Sequence, residues 1–260
     1  MSQKLTQLIL LFEQLEAWDT QGRRSISVAP VFSSPDNLLE NDGTPVETPL
    51  SQTVNKYNDL TTQIRELADN EQAEDILLFL MGHLQHIKVL VRLQAVEALG
   101  YTRNTGAISP LVDAMEHDSD NGVKAAAAQS LGIIGNILAT PFLVEVLQSE
   151  MRSPSEAKVR WMSAEALSFI ADPSAIDPLL EALSRNYTPF EKEASDIREA
   201  ARDALVSING EVVTDKLIEL FGKPILHSLD YIDESIRHEI IMGLGQIDRL
   251  KALNFLLTLA

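Results

Sequence analysis

Five segments decide the fold: VRLQAVEALG at Val91–Gly100, VKAAAAQSLG at Val123–Gly132, VRWMSAEALS at Val159–Ser168, IREAARDALV at Ile197–Val206 and IRHEIIMGLG at Ile236–Gly245. Each opens with Val or Ile followed by a base: Arg92, Lys124, Arg160, Arg198 and Arg237. Eight positions on comes leucine, at Leu99, Leu131, Leu167, Leu205 and Leu244. A small residue always precedes it: Ala98, Ser130, Ala166, Ala204 and Gly243. The starts are 32, 36, 38 and 39 residues apart, a spacing that marks stacked helical repeats.

At 100° per residue, positions 0, 4, 7, 8 and 11 from the opening aliphatic share one face of a helix. One leucine among small side chains lets neighbouring helices approach closely, and each stripe is buried only against the next repeat. A second pattern lies between these segments: AISPLVDAM at Ala107–Met115, TPFLVEVL at Thr140–Leu147 and AIDPLLEAL at Ala175–Leu183. Weaker copies read VVTDKLIEL at Val212–Leu220 and ALNFLLTL at Ala252–Leu259. Pro110, Pro141 and Pro178 sit in first turns, where a missing N–H costs nothing. Each repeat is therefore an A helix followed by a B helix, and a further A helix is expected near Asp75–Gln85. Two connections into B helices are read as longer, at Ser149–Ala157 and Tyr187–Asp196. The last A helix has no B partner.

Ahead of the repeats, Leu5, Leu8, Ile9, Phe12 and Leu15 recur at helical spacing, so residues 1–18 read as an amphipathic helix. Residues 19–51 hold four of the eleven prolines and read as a linker. Residues 52–73 read as a helix capping the array, and 74–260 as the array itself.

The 260 residues carry 38 acids and 21 bases, a formal net charge of −17, spread along the chain rather than held in a tail. That speaks against nucleic acid or an anionic membrane surface, both of which need clustered Lys and Arg. No cysteine is present, which removes disulfides, thiolate nucleophiles and Cys-ligated metals. The longest apolar run, Ile76–Met81, is far short of a membrane span, and the opening Leu8–Phe12 is too short for a secretory signal. A cytoplasmic protein is expected. No GxSxG, phosphate-cradling GKT/GKS or HExxH run occurs.

The pattern AIxPLxxAL, an acid three residues before the aliphatic (Asp120, Glu156, Asp233), then [VI]R and AxxALG resembles the HEAT-like repeat named after phycobilisome lyases, over roughly residues 75–260. The resemblance implies an α-solenoid of about five helix pairs. It also implies two functional classes, since the family holds both enzymes and binding modules. Lyases of this kind load a linear tetrapyrrole, a bilin, onto a cysteine of another protein, so a chain without cysteine is not disqualified. The Asn-His-Cys motif of the isomerising lyases is missing, as is an RYYAAWWLG-like helix; Val159–Ser168 offers one Trp. The His238–Glu239 dyad resembles those of deoxyhypusine hydroxylase, but Leu93–Gln94, Ala125–Ala126, Trp161–Met162 and Glu199–Ala200 stand where further dyads are needed.

His83 and His86, at i, i+3, have no evident third ligand and read as structural. The repeat bases are expected to pair with Asp120, Glu156, Asp233 and neighbouring helix ends. B-helix positions 2, 3, 6 and 10 fall opposite the packing stripe and define the candidate partner-binding residues Tyr101, Trp161, Met162, Glu165, Phe169, Glu199, Asp203, His238 and Met242. Aromatics and Met are common interface anchors, and an acidic rim suits a basic or amphipathic segment of another protein. The expectation is an all-α scaffold or adaptor with no catalytic residue, metal or cofactor. The alternative is a phycobilin lyase-type subunit or chaperone handling a bilin or its carrier. Oligomeric state is left open.

Overall fold

A computed structural model describes residues 2–22, 49–69, 73–150, 153–185, 191–222, 230–247 and 250–259. Most of the expected linker, and Asp233, lie outside the described residues or side chains. Every described element is helical, in two compact units, Met1–Thr102 and Arg103–Ala260. No described helix is long and apolar enough to cross a membrane.

The first unit holds α1 (Gln3–Gly22), α2 (Pro49–Ala68), α3 (Glu74–Gly82) and α4 (Val89–Tyr101). The amphipathic stripe of α1 packs on the other three helices, with Leu8, Phe12 and Leu15 fully buried. Phe12 meets the rings of Phe79 and His83 at 5.4 and 4.8 Å. The two histidines do not share a helix face, because α3 stops at Gly82. His83 caps it, its Nδ1 2.8 Å from the Phe79 carbonyl oxygen, and His86 lies beyond, 3.5 Å from Glu16. Lys88 donates to the Glu16 carbonyl oxygen. Both histidines thus tie α1 to the end of α3.

The second unit runs α5 (Ile108–His117), α6 (Asn121–Ile134), α7 (Thr140–Gln148), α8 (Pro154–Ile170), α9 (Ile176–Ser184), α10 (Glu191–Ile208), α11 (Glu211–Gly222), α12 (Asp230–Gln246) and α13 (Leu250–Leu259). The B helices α6, α8, α10 and α12 stack in sequence order, each backed by its A helix. The stripe is buried as its spacing predicts: Val123, Ala127, Ser130 and Leu131 in α6, and Ile197, Ala201, Ala204 and Leu205 in α10, are all at most 1% exposed. Small size is needed because the helices nearly touch. A Cβ built on Gly132 would stand 2.7 Å from the Ala166 Cα of the next repeat.

The B helices end alike. The residue twelve positions after the aliphatic has positive φ in four repeats: Arg103 (52°), Gly135 (69°), Ala171 (53°) and Asn209 (52°). The Gly135, Ala171 and Asn209 N–H groups each donate to the carbonyl of the repeat leucine, a left-handed C-cap. Then Asn104, Asn136 and Asp172 accept a hydrogen bond from the N–H two residues on, at 2.8, 2.9 and 3.0 Å, opening a 3-10 turn into the next A helix. Sixteen positions after each aliphatic lies a fully buried Ala107, Ala139, Ala175, Val213 or Ala252.

The starts of the B helices differ from expectation. α4 and α6 begin two residues before the aliphatic, whereas α8 begins at Pro154 and α10 at Glu191, so much of the two longer connections is an added helical turn. Ser153 caps α8 by accepting from the Glu156 N–H, with proline in the first turn. The repeat bases reach carbonyls. Arg92 donates to His86 O at 2.9 Å, Lys124 to Glu116 O at 2.6 Å and Arg198 to Arg185 O at 3.1 Å, all beyond or at the end of an A helix. Asp120 instead caps α6, accepting from Gly122 and Val123.

Two substitutions test this packing. Ala171→Gly relieves a left-handed alanine and is expected to raise unfolding free energy by about 0.5–1 kcal/mol. Gly132→Ala forces α6 and α8 apart and is expected to lower it by about 1–3 kcal/mol. Urea unfolding followed by circular dichroism checks both.

Candidate functional site

In α8, positions 2, 6 and 10 place Trp161, Glu165 and Phe169 at i, i+4, i+8, in line along one face. The adjacent α10 brings Asp196, Glu199, Ala200 and Asp203 alongside. Together with Ser168 they line an open groove of ≈ 290 Å³. Phe169 is 62% exposed and Trp161 and Glu165 are half-buried. Among the described residues, four carboxylates and two aromatic rings line the groove, and no base does. Burial alone pushes the Glu165 carboxyl up from its ordinary range.

Five of the nine candidate residues therefore meet: Trp161, Glu165, Phe169, Glu199 and Asp203. Met162 does not join them, because it is buried at 8% exposure. Position 3 lies only 40° from position 7 on the packing stripe. Gln94, Ala126 and Ala200, at the same position, are buried too. His238 and Met242 are exposed on α12 but line no part of the groove.

Tyr101 belongs to the first unit. There the Arg65 guanidinium of α2 stands over its ring, 5.6 Å from the centroid. Beside it, Gln94 Nε2 donates to Glu97 at 2.8 Å and to the Tyr57 hydroxyl at 3.4 Å. Burial raises the Glu97 carboxyl pKa, against the Gln94 hydrogen bond and the Arg65 charge, which lower it. Burial, then the Glu97 charge, push Tyr57 up to about 12. Arg65, Gln94, Glu97 and Tyr101 line a small cavity of ≈ 80 Å³.

Sequence reasoning missed Asp196 and Arg202. Asp196 immediately precedes the repeat aliphatic, a position outside the 2, 6 and 10 register, and lines the groove from the first part of α10. Arg202 bonds Glu199 at 3.3 Å, Asp203 at 2.6 Å and, from the next repeat, Glu239 at 2.7 Å. Burial opposes its charge, but Asp203, Glu239 and Glu199 outweigh that and raise its pKa. The Glu199–Arg202 spacing was a visible i, i+3 signal. Gly243 makes room for it, since a Cβ there would stand 3.1 Å from the Arg202 stem. Glu239 of the His-Glu dyad is thus part of an ion pair. No group of three or more potential metal ligands occurs among the described residues.

With this geometry in view, comparison with known proteins is informative. Residues 79–154 match the model for HEAT repeats and residues 159–185 that for the PBS lyase HEAT-like repeat. Residues 79–154 and 159–185 are thus similar to HEAT repeats, the second stretch, which holds most of α8, to those of the PBS lyase type. Among curated proteins it is similar to the bilin biosynthesis protein PecE of Mastigocladus laminosus, 38% identical over 69 residues, 26% of each chain. It is also similar to PecE of Nostoc sp. (strain PCC 7120), 35% identical over 98 residues, 38% of this chain and 36% of that one. The matched stretches span between about a quarter and two fifths of either chain. Among solved structures, the complex of CpcE and CpcF of phycocyanin lyase from Nostoc sp. PCC7120 aligns at 20% identity with a TM-score of 0.47, over 86% of this chain and 70% of that one.

Two measurements separate surface from core here. Met162→Ala is expected to cost about 2–5 kcal/mol of stability, whereas Phe169→Ala stays within about 0.5 kcal/mol of the parent in urea unfolding. Glu97→Gln carries a pH signature. Because the folded state raises the Glu97 pKa above its ordinary 4.5, ionising it weakens folding. The parent is expected to lose stability relative to Glu97→Gln as pH climbs from 4.5 through the raised value, and the difference then levels off in thermal unfolding across that range.

Proposed function

We propose that the chain is a phycobilin lyase-type subunit, or a chaperone of that type, handling a bilin chromophore or the phycobiliprotein that carries it. One observation carries the reading: the segment matching the phycobilisome-lyase repeat, residues 159–185, is the one that supplies Trp161, Glu165 and Phe169 to the groove. The similarity to two bilin biosynthesis proteins points the same way. The more general scaffold reading shares the protein-binding surface but leaves that similarity unexplained, so it stands second.

Groove chemistry favours the carrier over the chromophore as its occupant. A bilin's own carboxylates would meet Glu165, Asp196, Glu199 and Asp203 and be repelled. A protein segment bearing positive charge is attracted by the same four groups. Within these 260 residues no cysteine can take up a chromophore, so the thiol that receives it belongs to the carrier. The chain's part is then to hold and orient the carrier.

Co-expression with a bilin and an apo-phycobiliprotein subunit tests this. A covalent coloured adduct on the carrier, surviving a denaturing gel and exceeding spontaneous attachment at least about tenfold, is the expected outcome. Attachment no faster or cleaner than without the chain removes the proposal.

A further inference from the structure

We propose that the groove between α8 and α10 docks an amphipathic helix of a partner protein, and that an arginine of that helix enters between Glu165 and Phe169. This deepens the proposed function by naming the chemistry of its protein partner, and rests on that reading only for who the partner is.

The repeats themselves supply the template. Glu165 and Phe169 occupy positions 6 and 10 of their B helix, and the residues at the same positions of α4 are Glu97 and Tyr101. At α4 the carboxylate–aromatic pair already holds a guanidinium: Arg65 of α2 lies over the Tyr101 ring at 5.6 Å, and its charge favours ionised Glu97. What delivers that arginine is a helix, α2, packed along α4. At α8 the same i, i+4 pair is open, with Phe169 62% exposed. The cavity beside the filled pair measures ≈ 80 Å³, against ≈ 290 Å³ beside the open one.

Charge selects the occupant. Among the described residues, Arg202 of α10 points its guanidinium at Asp203, Glu239 and Glu199 and does not line the groove. Glu165 and Asp196 are left to face an incoming cation, and a guanidinium satisfies carboxylate and ring together, through its donors and its flat face. The shape selects a helix. The line from Trp161 through Glu165 to Phe169 covers two helical turns, about 12 Å, beside a parallel ridge on α10, which suits anchors at i, i+4 of a docked helix.

The test uses the full chain carrying Trp18→Phe, which leaves Trp161 as its one tryptophan. The probe is a synthetic 17-residue Ala/Leu/Gln helix with arginines at i, i+4 on its apolar edge, and the control replaces both arginines by citrulline, which keeps shape and loses charge. At 150 mM salt the arginine peptide is expected to give a saturable change in Trp161 emission with Kd of order tens of micromolar, and the citrulline twin to bind at least about tenfold more weakly. Glu165→Gln and Phe169→Ala are each expected to weaken the arginine peptide at least about fivefold with the helical signal unchanged. Equal affinity for the two peptides, no saturable binding, or full binding by both variants overturns the proposal; the last outcome means diffuse attraction to an acidic surface. The chain's own Arg23–Arg24 is the competing occupant. If Arg23→Gln/Arg24→Gln shifts Trp161 emission without peptide as far as the peptide does, the groove is filled from within and the partner assignment falls. Should coloured adduct still form when the peptide fails, the lyase-type reading stands and this inference alone is lost; the reverse pattern removes only the lyase-type reading.

Discussion

Everything in the second unit depends on how closely one B helix can approach the next. At Gly132 the backbone of Ala166 fills the space a side chain would take, so the contact is backbone against backbone. That approach explains why the residue before each repeat leucine is small, and why the leucine can be buried by a neighbour rather than by its own helix pair. It also sets the dimensions of the outer face. Where small stripe residues bring α8 and α10 together, their larger position-2, 6 and 10 residues are left standing as two ridges, and the space between the ridges is the groove.

The electrostatics of that face follow from one arginine. Arg202 gathers carboxylates from its own helix and from the next repeat, so α10 and α12 are joined by charge as well as by packing. Three carboxylates held this close would otherwise repel one another, and the guanidinium offsets part of that cost. Its reach stops short of α8. The groove is therefore uneven: the α10 side is partly neutralised, while Glu165 keeps a carboxyl that burial already makes less willing to ionise. An acidic composition that in the bare sequence spoke only for or against classes of partner becomes a one-sided field beside the exposed Phe169 ring.

The stripe was legible because it needs only helical geometry and a repeat: Val91, Ala95, Ala98, Leu99 and Thr102 are all buried as their spacing requires. Trp161, Glu165 and Phe169 were legible for the same reason. Met162 was misplaced because a position bordering the stripe is decided by how near the neighbouring helix comes, which periodicity does not report. His83 and His86 fall past the helix end at Gly82, and the contact of His83 with Phe12 of α1 comes from some seventy residues earlier, which their i, i+3 spacing does not report. Distance in sequence likewise hid Arg65 from Tyr101. The left-handed junctions were hidden differently, since Arg103 and Ala171 adopt a conformation their residue types disfavour and only the register of the repeat reveals it.

That register divides each repeat into a rigid edge and a tolerant one. From the opening aliphatic to the buried Ala or Val at position 16, no residue is gained or lost in any of the five copies. All the growth of the period, from 32 to 39 residues, falls between that buried residue and the next repeat aliphatic, most of it as extra turn at the start of the B helix. Insertions and deletions are therefore absorbed on one margin of the array, where they lengthen helices such as α8 and α10 without altering how the repeats stack. The groove's Asp196 stands just past that lengthened turn, one residue ahead of its repeat aliphatic. A lineage, or an engineer, can thus reshape the margin of the groove by editing segments that leave the repeat register untouched.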